Sequence, residues 1–240
     1  MEGYLARTLS QLSEINLDFP PLDKALTEPN GLLAMGGDLS TQRLIKAYHS
    51  GVFPWFNEGE PLLWWSPNPR TVIFLDDLRI NKTLRKFINK SPYKITVNAA
   101  FTEVIAQCAN APFRNDDTWI IEPMQNAYSL LHQKGYAHSI EVWQDDLLVG
   151  GLYGVAINGF FSGESMFYLK DNASKCALVA LKLHLESVGV KFIDCQLMNP
   201  FLADMGAVDI SRFSFMEYQE CAINKAVPSH FWSVKELKLT

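Results

Sequence analysis

The chain has 240 residues, of which 48% are hydrophobic and 20% charged, with a formal net charge of -5. That length buries one large core, or one core with a small appended domain, and the balance excludes a disordered, fibrous or repeat protein. The overall negative charge argues against a partner gripped by bulk positive charge, such as long duplex DNA.

Taken in order, residues 1 to about 20 show mixed periodicity and read as a loosely packed lead-in. From Phe19 prolines and glycines mark turns around a brief apolar strand at Leu32 to Met35. Ser40 reads as an N-cap for a short helix with Leu44, Ile45 and Tyr48 inside, ended by Gly51. A dense aromatic, proline-threaded segment follows, with Trp55, Phe56, Trp64 and Trp65 close together. Trp64 and Trp65 are expected to wedge subdomains together. Trp55, after Pro54 at a turn, is left with an exposed ring on which a base can stack. The run Ser66-Pro-Asn-Pro69 suggests a boundary, giving a small N-terminal domain at 1–68 and a larger one at 69–240.

Beyond it, Thr71 to Leu75 is a predicted strand and Asn81 to Asn89 a short helix with Leu84, Phe87 and Ile88 buried. Lys82, Lys86 and Lys90 fall at i, i+4 spacing outside, in a stretch from Arg79 to Lys94 that contains no acid. Such a stripe is often only a solvated face; its lack of acids favours contact with a phosphate backbone. Tyr93 to Val97 is a strand, Asn98 caps a helix around Phe101, Val104, Ile105 and Cys108, and a loop carries Trp119. Pro123 opens a helix with Met124, Ala127, Tyr128 and Leu131 inside. Three strands follow as an antiparallel meander, His138 to Gln144, Leu147 to Ile157 and Phe160 to Tyr168, turning at Asp145-Asp146 and Asn158-Gly159. A helix runs from an Asn172 cap to Gly189, then comes a strand at 192–199, and helical character returns near Phe213 to Ile223.

Strict alternation would place Asp194 and Gln196 on one face with Phe192 and Met198, and Glu164 on one face with Ser162 and Met166. A buried polar group left unsatisfied costs roughly 2–7 kcal/mol, so these three meet either one another or a ligand. Gly163-Glu-Ser165-Met-Phe167 lacks the closing glycine of a nucleophile elbow. The order of elements matches acyltransferases in which a mixed sheet splays open to admit an acyl donor. The loop 169–175 has no glycine and carries an acid, which disfavours coenzyme A at the head of the helix, and no cofactor is expected. Cys108, Cys176, Cys195 and Cys221 and the five histidines are scattered, so no metal site is expected. With neither a leader pattern nor an apolar run long enough to span a bilayer, the expected location is the cytoplasm. No large apolar stripe is left unassigned, which favours a monomer.

The residues Glu-Pro-Asn-Gly-Leu-Leu-Ala-Met-Gly-Gly-Asp-Leu-Ser, Gly-Val-Phe-Pro-Trp-Phe, Leu-Trp-Trp-Ser-Pro-Asn-Pro-Arg, His-Ser-Ile-Glu-Val-Trp, Phe-Ser-Gly-Glu-Ser-Met-Phe, Asn-Ala-Ser-Lys and Asp-Cys-Gln stand in that order between Phe19 and Tyr218. They resemble the bacterial leucyl/phenylalanyl-tRNA-protein transferases. The resemblance implies an α/β (α+β) protein, with a C-terminal acetyltransferase-like (GNAT) domain of mixed, mainly antiparallel sheet behind a small N-terminal domain. It implies transfer of Leu or Phe, less well Met, from aminoacyl-tRNA to the N-terminal Arg or Lys of a protein, marking it for N-end rule degradation. It also implies catalytic roles for Asp194, Gln196 and Glu164. A neutral amide is a weak base, so Gln196 is expected to orient the amine and Asp194 to be the electrostatic partner of the amine or of the basic side chain beside it. The resemblance places the aminoacyl pocket at Leu152, Phe161, Gly163, Met166, Leu178 and Ile193. It sets the terminal adenosine against Trp55, Trp119, Tyr48 and Tyr128, and the tRNA backbone on Lys82, Lys86 and Lys90. Leu181 and Leu185 stand where the family pattern leads one to expect aromatics, and Phe201 where it usually carries His. Two other readings stay open: an aminoacyl-tRNA-dependent transferase with a non-protein acceptor, and a non-catalytic tRNA-binding module.

Overall fold

The computed structural model describes residues 9–111 and 118–239. A four-stranded sheet has the order β1 (Ser10–Leu12), β2 (Leu32–Gly36), β4 (Leu63–Trp65), β3 (Phe53–Pro54), with helix α1 (Thr41–His49) between β2 and β3 in the chain. An eight-stranded sheet has the order β11 (Val208–Ile210), β5 (Arg70–Phe74), β10 (Phe192–Gln196), β9 (Phe160–Tyr168), β8 (Leu147–Ile157), β7 (Ala137–Gln144), β6 (Lys94–Val97), β12 (Lys235–Leu237). In this larger sheet β9 and β10 run parallel and the other neighbours antiparallel, the mixed, mainly antiparallel pattern expected. Its helices are α2 (Lys82–Ile88), α3 (Phe101–Ala109), α4 (Glu122–Gln133), α5 (Ala173–Glu186), α6 (Pro200–Asp204) and α7 (Arg212–Ile223).

Alternation along the strands builds a core on each face. Tyr153, Val155 and Ile157 of β8 join Phe101, Tyr128, Phe192 and Phe215 on one side, and that core is continuous with Leu44, Tyr48 and Trp64 of the N-terminal layer. Leu152 and Ala156 join Leu178, Leu181, Ile193 and Leu84 on the side covered by α5 and α2. Each large apolar side chain so enclosed contributes roughly 1.5–3 kcal/mol. Trp64 is fully buried and donates its indole N–H to the Gly36 carbonyl at 2.9 Å. The meander is closed by a two-residue turn in which Asp145 and Asp146 have φ of 50° and 62°, and by a second at Asn158, φ 52°. Among the described residues no helix is long and apolar enough to cross a membrane.

Two bulges, neither visible in an alternating pattern, decide where the polar residues point. Between β8 and β9 the partners step from Gly154↔Gly163 to Tyr153↔Ser165, so Glu164 is the extra residue. Gly154 permits this, since a Cβ there would lie 2.3 Å from the Ser162 carbonyl oxygen. Past the bulge the parity flips: Met166 pairs with Leu152 and faces the α5 side, correcting the expectation that it shares a face with Glu164 and Ser162. In β10 the partners step from Asp194↔Val72 to Gln196↔Thr71, leaving Cys195 as the extra residue, and Gln196 takes a φ of 58°. The strand therefore ends at Gln196 and does not run on to residue 199. β9 and β10 share a single register pair, Ser162↔Asp194, beyond which they separate into a wedge.

Ser40 caps α1 by accepting from the Arg43 amide at 3.3 Å, as expected. Asn98 does not cap α3, whose N-cap is Ala100. Its amide instead accepts from the Ser139 N–H and donates to His138 and to the Trp232 carbonyl. Asn172 holds the N-cap position of α5 in a left-handed conformation, φ 60°, but its side chain makes no capping bond.

Candidate active site

The wedge between β9 and β10 opens into a cavity of about 450 Å³. Its walls come from Leu152 and Tyr153 of β8, Gly163 to Met166 and Tyr168 of β9, Leu178 and Leu181 of α5, Ile193, Cys195 and Gln196 of β10, and residues 199–202 at the start of α6. Five of the six residues expected to line an aminoacyl pocket are on that surface: Leu152, Gly163, Met166, Leu178 and Ile193. Phe161 is not; it is buried on the α5 side with its ring 5.7 Å from that of Trp232. Leu181 and Phe201 line the cavity, while Leu185 lies in the core beside it.

Glu164, Asp194 and Gln196 converge, joined by a residue not singled out in the sequence. The Ser162 hydroxyl lies 3.1 Å from Glu164 Oε1 and 3.1 Å from Asp194 Oδ2, and accepts Gln196 Nε2–H at 2.7 Å. Asp194 is fully buried and completely engaged: Arg70 donates Nε–H and an Nη2–H to its two oxygens at 2.8 and 2.7 Å, and the Gln196 amide N–H reaches it at 3.2 Å. It does not line the cavity. Its carboxylate is thus held by Arg70, Ser162 and the Gln196 backbone N–H, so that any electrostatic influence on an amine in the cavity passes across Ser162 and Gln196. Arg70 in turn donates to the Gly51 carbonyl at 3.2 Å and is stacked between the rings of Phe53 and Phe215, at 4.8 and 4.5 Å.

Glu164 does line the cavity. Burial pushes its carboxyl up from an ordinary value of 4.5 to about 7, with the Asp194 charge adding to the rise and the neighbouring hydroxyls of Tyr48, Ser162 and Tyr128 opposing it. Tyr128 donates to Glu164 at 3.1 Å, and the hydroxyls of Tyr48 and Tyr128 are hydrogen-bonded to each other. Both tyrosines are buried, so neither presents a ring face to an adenine. Their positions thus differ from the adenosine contact expected of them; what they do is set the environment of Glu164. Trp55 is 38% exposed with its ring 5.4 Å from that of Trp65, and Trp119 is half-buried; neither lines the cavity. Lys82, Lys86 and Lys90 are exposed, the first two on α2 and the third in the turn after it.

The sequence held a signal for Arg70. A strand carrying an aspartate into a fully buried position needs donors for that carboxylate, a cation being the strongest, and Arg70 opens the strand that pairs with β10. Ser162 offered none beyond sharing a face with Glu164 by alternation.

Such a site, with an acid poised near neutrality and an amide at the mouth of an apolar hole, suits attack by an amine on an acyl group held by its side chain. The model of the leucyl/phenylalanyl-tRNA protein transferases matches residues 72–220, and that of their N-terminal domain matches residues 37–68. The chain is 60% identical to the leucyl/phenylalanyl-tRNA--protein transferase of Colwellia psychrerythraea over 97% of its own length and 99% of the relative's. The chain belongs to this family. The transferase of Erwinia tasmaniensis is 48% identical over 95% of this chain and 99% of that protein. Among solved structures, the chain is similar to a GCN5-related N-acetyltransferase from Kribbella flavida at 10% identity and TM-score 0.36, covering 71% of this chain and 60% of that one. As a leucyl/phenylalanyl-tRNA protein transferase, the chain is an aminoacyltransferase, and the cavity at the β9/β10 wedge is the candidate for its acyl group.

Proposed function

We propose that the chain transfers Leu or Phe, and less well Met, from aminoacyl-tRNA to the N-terminal Arg or Lys of a protein, forming a peptide bond and marking the product for N-end rule degradation. The observation that carries this reading is the joint presence, on one apolar cavity, of Glu164 and Gln196. Leu152, Met166, Leu178 and Ile193 offer an uncharged side chain a matching surface and a charged one no partner.

In the mechanism we infer, the acceptor arrives as an ammonium and gives one proton to the Glu164 carboxylate, whose affinity for protons near pH 7 matches that of an α-amino group. The freed lone pair attacks the ester carbonyl. The carbon–oxygen bond to the ribose then breaks, and the ribose oxygen takes up a proton as the nitrogen loses one. Gln196 Nε2 is committed to Ser162, so its amide oxygen is the end that accepts an amine N–H and aims the lone pair. Asp194 acts through these two groups, not on the amine.

Around this centre, we place the terminal adenosine against Trp55 and Trp119 and the tRNA backbone on Lys82, Lys86 and Lys90. Residues 1–68 are the small N-terminal domain of this reading, and the protein works as a monomer in the cytoplasm. The test is to mix the protein with Leu-tRNA or Phe-tRNA and a peptide beginning with Arg, and to look for a peptide lengthened by one residue. Binding of the tRNA without a lengthened peptide, or labelling of a non-protein acceptor alone, would overturn the assignment.

A further inference from the structure

Resting on that reading, we propose that Ser162 is a positioning residue whose single hydroxyl proton couples the charge of Glu164 to the aim of Gln196, with Arg70 and Asp194 as its fixed backstop. A serine hydroxyl has one hydrogen to donate and two lone pairs to offer. Here it stands at 3.1 Å from each of two carboxylates, so it can donate to one at a time, while one lone pair is occupied by Gln196 Nε2–H at 2.7 Å.

When Glu164 is ionised the hydroxyl can point to it. When Glu164 takes a proton from the amine, it becomes a donor, and the second lone pair of Ser162 can receive that new O–H. The serine hydrogen then has one acceptor left among these partners, Asp194 Oδ2. For this exchange to occur without moving Gln196, Asp194 must stay in place as an acceptor. Arg70 ensures that, holding both carboxylate oxygens while itself clamped by Gly51, Phe53 and Phe215. No heavy atom has to move and no proton is created or lost: the one gained by Glu164 is the one given up by the ammonium.

Groups around Glu164 from the elements packed there are Tyr48 of α1, Tyr128 of α4, and Asp194 of β10 with Arg70 of β5 behind it, while Tyr153 of β8 lies against Tyr128 and on the same cavity wall. The Tyr128 hydroxyl bonded to Glu164, with Tyr48 hydrogen-bonded to it in turn, favours the carboxylate and Asp194 disfavours it. Ser162 is the group among these in contact with both Glu164 and Gln196.

The test is a carboxyl ¹³C NMR titration of the full chain labelled in glutamate, with the Glu164 signal assigned by its loss in Glu164→Gln. Removing a hydrogen bond that favours the charged form should raise the Glu164 midpoint in Ser162→Ala by about half a pH unit or more. Ser162→Cys, of similar size and with a weak donor, should raise it less, and it decides the matter if the alanine variant does not fold. The acid limb of kcat/KM should move by the same amount as the midpoint, and kcat should fall as Gln196 loses its anchor. A midpoint that stays put or falls in the folded variants, with activity lost equally at every pH, would overturn the coupling. The titration needs no tRNA, so a wild-type protein that titrates as described yet transfers nothing would sink the functional reading while leaving this inference to stand on its own result.

Discussion

Two glutamates on the larger sheet, Glu141 buried and Glu164 half-buried, have similar chemistry and different prospects. Glu141 of β7 is fully enclosed, its carboxyl raised by burial, and bound by the hydroxyls of Ser139 and Thr96 and the amide of Ala99. Glu164 of β9 is also raised by burial and also ringed by hydroxyls. The difference is access. Glu164 sits on a bulge at the edge of the wedge and lines a cavity, whereas Glu141 is fully buried, does not line that cavity, and its carboxylate receives a backbone N–H. A raised proton affinity is therefore a mark of burial first, and of catalysis only where a substrate can reach the group.

The largest effect should separate the pair directly. Glu164→Gln removes the group proposed to accept the amine proton and should lower kcat by roughly 10²–10⁴-fold while the protein stays folded. Glu141→Gln should disturb stability, by roughly 1–3 kcal/mol from unmatched hydrogen bonds, and leave kcat within a few-fold. Equal losses of kcat in both would erase the distinction. The pH dependence sharpens it. Activity of the wild type should rise through about pH 7 as Glu164 ionises, and this limb should vanish in Glu164→Gln. Because the folded-state value of Glu164 is raised, its contribution to stability is present below about 4.5 and is lost as the pH climbs through about 7. Relative to the wild type, Glu164→Gln should thus gain stability between pH 4 and pH 8, read by urea denaturation at each pH.

Next in size is the pair behind the site. Arg70 and Asp194 are both buried, and breaking such a pair by Asp194→Asn strands the guanidinium, at a cost of about 3–5 kcal/mol. Denaturation midpoints would show it. A variant as stable as the wild type would mean that the guanidinium finds another partner.

These same residues show what was legible in the sequence. The strands, the meander and the two core faces follow from apolar periodicity, and the Ser40 cap from residue type. Alternation also brought Asp194, Gln196 and Glu164 into view as polar residues in apolar strands. It failed after each bulge, since an inserted residue reverses every later side chain and nothing in the local composition of Gly-Glu-Ser or Asp-Cys-Gln announces one. Helical periodicity places Tyr48 and Tyr128 inside, as they are found, but carries no sign that their buried hydroxyls meet each other and Glu164. Short edge strands such as β11 and β12, with 3 residues each, carry too few side chains for a period to register.

On the apolar side of the wedge the expected effects are smaller, because shape discriminates less than charge. Leu181 lines the cavity from α5, and Leu181→Phe would add a ring to a wall facing the acyl side chain. A changed fit in an apolar pocket is worth roughly 1–3 kcal/mol, so transfer of Phe should fall about 10-fold or more while transfer of the smaller Leu falls less. Competition between Phe-tRNA and Leu-tRNA for one Arg-starting peptide gives the ratio of kcat/KM directly. If the ratio is unmoved, the acyl group lies elsewhere, since a side chain bound in this cavity must register a new ring on its wall. In that case Glu164, which shares the cavity with Leu181, would lose its claim to the reacting amine as well, and its likeness to Glu141 would extend from chemistry to role.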